Sequence, residues 1–274
     1  MLFKYVAGNN IRDVLSVSNK LFNKNYIPII NYITENQGKN TIKTVFSEYN
    51  RLIDNLNHKY YIALKLSSFN FNTFMVEQIA EKCIKKDIKL IVDAENNSLI
   101  EKYRDSVNNM ISKYNRDNKL QIIKTYQMYR KDSYNKLLND IKFFNDNNIK
   151  MGVKLVRGAY FYSEKHLNVL YNKKFETDLN YNKSILTLND YNIKTILATH
   201  NNESINLGIL LNNNNNLKNF EFAHLLDMHN KKYDNIKYDQ TVNVYIPYGP
   251  YNEMLPYLIR RLYENFDNIK YMIK

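Results

Sequence analysis

Gly152-Val153-Lys154-Leu155-Val156-Arg157-Gly158 and Thr195-Ile196-Leu197-Ala198-Thr199-His200 decide the fold, with a helical stretch near Lys183–Asn189 between them. Each is an apolar, β-branched run that closes on a polar or charged residue. Strand, helix and strand in that order make a parallel pair with a helical crossover. The same unit recurs outward in both directions. Phe3–Ala7 reads as a short first strand, with helical segments at about Asn9–Asn25 and Lys39–Asn57. Tyr60–Ser67 (YYIALKLS) is strand two with a helix at Thr73–Lys86, and Ile88–Asp93 (IKLIVD) is strand three with Leu99–Tyr114. Leu120–Gln127 (LQIIKTYQ) is strand four, followed by a helix over Tyr134–Phe144. Beyond the opening pair come helical Glu203–Leu211, strand seven at Phe220–Leu225, strand eight at Thr241–Ile246 (TVNVYI) and a closing helix at Asn252–Asn265. Near-continuous apolar strands argue a parallel sheet buried on both faces. Eight of them in 274 residues predict a closed (βα)8 barrel of the TIM type. The expectation is α/β, one domain over residues 1–274, with no second domain.

Composition narrows the function classes. Apolar residues make up 44% of the chain, which excludes a disordered tail. The single cysteine, Cys83, excludes an internal disulfide and any site needing several thiolates. No apolar run approaches the roughly 20 residues of a bilayer span. The N-terminus reads as a strand and carries neither a secretion signal nor a transit-peptide pattern. The chain is therefore expected to be soluble and unprocessed, in a reducing compartment. Lys plus Arg number 39 against 27 Asp plus Glu, a net +12. That charge fits either a nucleic-acid stripe or an A+T-rich genome, which also raises Asn, Ile and Tyr. The lysines are scattered with no dense basic block, favouring genome bias. The six glycines include no two that are two residues apart, so a GxGxxG fingerprint is impossible, and no phosphate loop exists. Asn212–Asn216 reads as a low-complexity solvent loop.

Polar residues fall in register at the strand ends: Lys65, Asp93, Gln127, Arg157, His200 and, near the end of strand eight, Tyr245. In parallel barrels those ends share the mouth where active sites sit. On the last helix, Tyr257, Arg260, Arg261 and Glu264 lie at i, i+3, i+4 and i+7, on one face. Leu255, Leu258, Ile259 and Leu262 mark an adjoining face that would dock the helix. Spacing alone leaves two readings of the arginine face: a solvated Arg–Glu pair, or paired guanidinium forks for a carboxylate.

Eight segments, in order, carry a family resemblance: YVAG at Tyr5–Gly8, ALKLSS at Ala63–Ser68, VDAE at Val92–Glu95, TYQMY at Thr125–Tyr129, VKLVRGAY at Val153–Tyr160, ATHNNES at Ala198–Ser204, VYIPYGP at Val244–Pro250 and LPYLIRRLYEN at Leu255–Asn265. On these the chain resembles the proline dehydrogenase family over nearly its whole length. The resemblance implies a (βα)8 barrel with FAD across the strand C-termini. It implies oxidation of L-proline to 1-pyrroline-5-carboxylate, with electrons passed on to a quinone. Carried over by motif, Lys65, Arg260 and Arg261 would bind the substrate carboxylate, with Tyr245 and Tyr257 walling the pocket. Asp93 would be the strand-three active-site carboxylate, with Ala94 beside the flavin. Arg157, Gly158, Ala159, Thr199 and His200 would contact FAD. Lys154 stands where bacterial members place an Arg near the isoalloxazine, so Asp93, Lys154 and Tyr245 form the expected catalytic set. Glu35 would pair with the arginines before substrate arrives. The chemistry removes a hydride from a ring carbon while the neutral amine's electrons assist, the cofactor accepting it. Cations at Arg157 and Lys154 would favour the flavin's reduced, more anionic state.

The sequence departs from the family in three places. Strand seven reads His224-Leu225-Leu226-Asp227-Met228 where the family has Gln-Leu-Leu-Gly-Met, placing an Asp at a glycine position. His224 and His229 lack companions for a metal site, and no metal is expected. Strand four carries Lys124 where bacterial members have a flavin-contacting Gln, leaving Gln127 as the cofactor candidate there. Strand eight reads VYIPYG where longer members have VYKYVPYG. Oligomeric state is open, and the positive charge would allow peripheral contact with a quinone-containing membrane. An inactive barrel scaffold and a basic nucleic-acid-binding protein are the alternatives from other classes.

Overall fold

The computed structural model describes residues 2–34, 39–57, 60–215, 218–228 and 231–264. Eight parallel strands close into a barrel in sequence order: β1 (Ile27–Tyr32), β2 (Tyr61–Leu64), β3 (Lys89–Val92), β4 (Ile122–Gln127), β5 (Gly152–Val156), β6 (Lys194–Ala198), β7 (Phe220–Leu225) and β8 (Val242–Tyr248). The helices are α1 (Ile11–Phe22), α2 (Lys39–Asp54), α3 (Thr73–Lys85), α4 (Ile100–Tyr114), α5 (Ser133–Asp146), α6 (Phe161–Glu164), α7 (Lys174–Asp190), α8 (Asn202–Asn215), α9 (Lys231–Ile236) and α10 (Tyr251–Glu264). Two compact units make up the chain, Met1–Leu90 with His224–Lys274, and Ile91–Ala223. Among the described residues no helix is long and apolar enough to cross a membrane.

Strands two to eight lie where the sequence puts them, to within a few residues. The first does not. Leu2–Tyr5 is a turn of 3-10 helix, and Tyr5 with the following Val6 packs against Ile33, Met228, Met254, Tyr257 and Leu258. The first barrel strand is Ile27–Tyr32, which pairs with β8 from Ile27↔Asn243 to Tyr32↔Tyr248. Pro28 and Asn31 disguise it, because proline within an apolar run ordinarily argues against a central strand. The asparagine run is a second correction: Asn212–Asn215 continue α8, and Asn212 is buried. Its amide donates to the Phe220 carbonyl at 2.8 Å and accepts the Phe220 N–H at 2.9 Å, so it starts β7 rather than facing solvent.

Few glycines are needed because Asn and Asp take the left-handed turns between helices and strands. Asn25, Asp87, Asn148 and Asn192, at φ from 53° to 59°, each follow a helix and precede a strand.

Candidate active site

In a closed parallel barrel the C-terminal strand ends open on one face. Within the unit Ile91–Ala223 these ends carry a connected polar set. Lys154 on β5 and Asp93 just after β3 form an ion pair, Nζ to Oδ1 2.6 Å, with both residues buried. Gln127, the last residue of β4, is 4% exposed. Its Nε2 donates to the Glu95 carbonyl at 2.9 Å, and its Oε1 accepts the Ala159 N–H at 3.3 Å. It thereby ties the loop after β3 to the loop after β5. The Tyr160 hydroxyl donates to the Ala94 carbonyl at 3.4 Å across the same two loops.

Arg157 is held in place from three sides. Its Nε donates to Asp178 Oδ1 at 2.8 Å, Nη2 reaches the same oxygen at 2.7 Å and Ser204 Oγ at 3.2 Å, and Nη1 donates to Thr199 Oγ1. The guanidinium lies over the Tyr181 ring, 4.5 Å from its centre. Among the described residues, these contacts use four of the five N–H groups of the arginine and leave one, on Nη1. Burial pushes the Asp178 carboxyl up, but Lys174 and Arg157 outweigh it and hold the group below the usual carboxylate range. Thr199 also accepts the Asn201 N–H at 3.0 Å, and His200 follows it, half-buried. Gly158 has φ +150°, and a Cβ there would overlap the Tyr129 ring, so this loop admits only glycine.

Strand alternation settles the question of Lys124. Lys124 and Tyr126 point away from the barrel interior, toward α5, where both reach Asp140 Oδ2, at 2.6 and 2.7 Å. Arg104 and Asn108 complete this buried cluster. Burial pulls the Lys124 ammonium down to about 8 against the pull of Asp140. Lys124 therefore belongs to the packing behind β4, while Gln127 is on the other face of the strand.

Sequence reasoning missed the supports of this site. Glu164, at the end of α6, is 2% exposed and meets Asn97, Tyr129 and Arg130. Asp178, Tyr181 and Ser204 hold Arg157. Tyr129 and Ser204 lie within TYQMY and ATHNNES, so motif membership was a signal; the others are brought in only by the fold.

The remaining candidates lie in the unit formed by Met1–Leu90 and His224–Lys274. Lys65 follows β2 in extended conformation, half-buried, just before the turn Leu66–Phe69. Tyr245 is on β8 opposite Ile29, also half-buried. Tyr257 is 5% exposed and packs in the apolar cluster with Tyr5, Val6 and Ile33. Among the described side chains of α10, Glu253, Met254, Tyr257 and Leu258 are buried, while Leu255 and Ile259 are 48% and 44% exposed. The docking face expected from Leu255, Leu258, Ile259 and Leu262 is thus shifted, since only Leu258 of the described three faces inward. Arg260 and Arg261 belong to α10, and their side chains, like Glu35 and His229, lie outside the described residues. Asp227 takes φ 58°, the conformation a glycine would favour, and its carboxylate pairs with Lys4 at 3.2 Å. His224 stacks on Tyr233 with ring centres 4.8 Å apart.

The donor set suits a flat, electron-accepting ring system: an ammonium, a guanidinium with one N–H to spare, and loops kept slim by Ala94, Gly158 and Ala159. Fold and site define a (βα)8-barrel protein with a buried carboxylate–ammonium pair and an anchored arginine at its strand ends. Residues 14–273 match the family model described as proline dehydrogenase. The chain belongs to the proline dehydrogenase family. It is 28% identical over 214 residues to proline dehydrogenase 1, mitochondrial, of Dictyostelium discoideum, covering 69% of this chain and 36% of that protein. It is 34% identical over 188 residues to the carbapenem antibiotics biosynthesis protein CarD of Pectobacterium carotovorum subsp. carotovorum, covering 65% and 48%. The solved structure of proline utilization A from Bdellovibrio bacteriovorus, inactivated by N-propargylglycine, superposes with a TM-score of 0.89 at 18% identity, covering 96% of this chain and 32% of that one. The chain thus spans about a third to a half of the length of these relatives.

Proposed function

We propose that this chain is the catalytic barrel of an oxidoreductase that converts L-proline to 1-pyrroline-5-carboxylate, with FAD as the bound acceptor and a quinone as the onward acceptor. One observation carries the reading: the buried Asp93–Lys154 pair at the ends of β3 and β5, whose following loops are tied to each other by the Gln127 and Tyr160 bonds. A buried ion pair is a weak device for stability. At the mouth of a barrel in this family it reads as chemistry.

FAD supplies a two-electron acceptor for the hydride. Gln127, Arg157, Gly158, Ala159, Thr199, His200 and Ala94 would hold it. Lys65, Arg260 and Arg261 would grip the substrate carboxylate, and Tyr245 and Tyr257 would confine the ring. Fixing one small molecule against the acceptor supplies orientation, worth up to roughly 7–11 kcal/mol of barrier. Lys154, neutralised in part by Asp93, would present a fixed cation where negative charge gathers. The amine must react unprotonated, so the carboxylate grip orients the ring while the proton leaves to solvent. Residues 1–274 would act as one catalytic unit, with peripheral contact at a quinone-containing membrane favoured by the +12 charge.

The test is product. FAD-reconstituted protein given proline and a soluble quinone should form the cyclic imine, trapped by o-aminobenzaldehyde as a coloured adduct. No adduct from a flavin-loaded protein contradicts the proposal.

A further inference from the structure

Glu164 is a carboxylate that the expected chemistry leaves without a task, and it is 2% exposed. A carboxylate buried that deeply persists only when its oxygens are paired and hydrogen-bonded. Its partners come from two different loops, and Glu164 itself belongs to a third. Oε1 accepts the backbone N–H of Asn97 at 2.6 Å, in the loop after β3 that begins with Asp93 and Ala94. Oε2 accepts the Tyr129 hydroxyl at 3.0 Å, in the loop after β4 that begins beyond Gln127. Arg130, 5% exposed, approaches Oε2 at 3.6 Å and donates from the same Nη1 to Asn97 Oδ1 at 3.0 Å. Glu164 itself ends the segment that leaves β5 through Arg157, Gly158 and Ala159.

The contacts interlock rather than merely coexist. The Tyr129 ring occupies the space that a Cβ on residue 158 would need, so the Gly158 backbone rests against the ring that Glu164 orients. The Tyr129 N–H donates to the Arg157 carbonyl at 2.8 Å, and the Tyr171 N–H to the Tyr129 carbonyl at 2.8 Å. Moving the carboxylate therefore moves Tyr129, the Gly158 turn and the chain at Asn97 together. Burial, reinforced by the Glu164 charge, pushes the Tyr129 hydroxyl well above its ordinary range, so it stays a donor.

We propose that Glu164 is a positioning residue: it locks the loops after β3, β4 and β5 into the one arrangement that lets Asp93, Ala94, Arg157, Gly158 and Ala159 receive the cofactor. This inference rests on the flavin reading above. It assigns Glu164 no contact with substrate. Its effect passes through Tyr129 and Asn97.

Flavin-loaded holoprotein is compared in four variants: Glu164→Gln, Glu164→Ala, Tyr129→Phe and Asn115→Ala. Asn115 is a stability control just after α4, where its amide donates to the Ile122 and Lys150 carbonyls at 2.8 and 2.9 Å. The readouts are the FAD dissociation constant, the visible flavin band, and the rate of flavin bleaching by proline against the proline KM. Glu164→Ala should slow bleaching by about 100-fold and weaken FAD binding, as expected for about 1 Å of misplacement. Glu164→Gln keeps an acceptor for Asn97 and a polar partner for Tyr129, so it should recover most of the loss. Tyr129→Phe should fall between them, all three with the proline KM nearly unchanged. Asn115→Ala should lower the melting temperature and move none of these readouts. If Glu164→Ala does not fold, Glu164→Gln and Tyr129→Phe carry the test. Wild-type bleaching rate, flavin band and FAD affinity in both would overturn the inference. A wild-type protein that binds no FAD overturns it together with the flavin reading. One that binds FAD but is not bleached overturns the substrate reading alone, and FAD affinity and the flavin band then decide the role of Glu164.

Discussion

Lys154→Met removes the cation from the Asp93–Lys154 pair while keeping the length of the side chain. The wild-type contact is 2.6 Å, with side-chain exposures of 7% for Lys154 and 13% for Asp93. Removing one partner of a buried pair costs about 3–5 kcal/mol where nothing else compensates the remaining charge, which sets the upper range here. Asp93 retains a sliver of exposure, so the lower end applies, about 3 kcal/mol. At roughly 2–4 °C per kcal/mol for a chain of this size, the melting temperature should fall by roughly 6–12 °C. If Lys154 also offers its charge to the reacting system, proline-driven bleaching of the flavin should slow by about 100-fold, the usual effect of deleting one preorganised electrostatic group. Differential scanning calorimetry and anaerobic stopped-flow absorbance read the two effects separately. Adding Asp93→Asn should restore part of the lost stability, with a coupling energy of about 2 kcal/mol, but not the rate. A Lys154→Met protein that melts within 2 °C of wild type and bleaches at its rate would refute the argument.

Four further outcomes follow from the same contacts. Gly158→Ala forces a left-handed conformation and a clash with Tyr129, so it should cost about 2–3 kcal/mol and release flavin; a wild-type melting curve with full flavin content contradicts this. Lys124→Met takes from Asp140 one of its two cations and leaves Arg104 at 3.2 Å, so urea unfolding should show a loss of about 2 kcal/mol, below the roughly 3–5 of a fully uncompensated charge, while the proline KM stays put; a changed KM with unchanged stability would place Lys124 in the site instead. On α10, Leu258→Ala should cost about 2–4 kcal/mol and Leu255→Ala under about 0.5, and the reverse order would reinstate the other face. The Asp132, Asp140 and Asp178 carboxyls are all held below 3.8 in the folded chain, burial opposing and their cationic neighbours prevailing. Groups depressed on folding give stability that is full above their unfolded value and lost as pH falls through the folded one. Stability should therefore hold from pH 7 to about 5 and drop below about 4, with a shallower drop in Asp140→Asn. An unchanged slope in that variant would contradict it.

Much of this architecture is legible in the sequence because a buried parallel strand is its own signal. IKLIVD, LQIIKTYQ and TILATH need no context to be read as strands. IPIINY does, because the buried Asn31 is accommodated only once β2 lies alongside and its amide can donate to the Ala63 carbonyl. LFKYVA shows the converse: apolar alternation that settles as a 3-10 turn, because Tyr5 and Val6 find a core against α10. The Asn212 side chain reads as a loop until Phe220 supplies a backbone for it to complete. Strand-end residues such as Asp93 and Arg157 could be picked out by position. Their supports could not, since Glu164 lies 67 residues from Asn97 and 35 from Tyr129. Such a network exists only after the barrel has closed.

The central claim is that these strand ends hold a flavin that proline reduces. The visible spectrum of the purified, FAD-reconstituted protein, taken without oxygen before and after proline is added, tests it most directly. The account predicts a yellow protein whose band bleaches on addition of L-proline. A protein that FAD cannot turn yellow, or one whose yellow survives saturating proline, would contradict it.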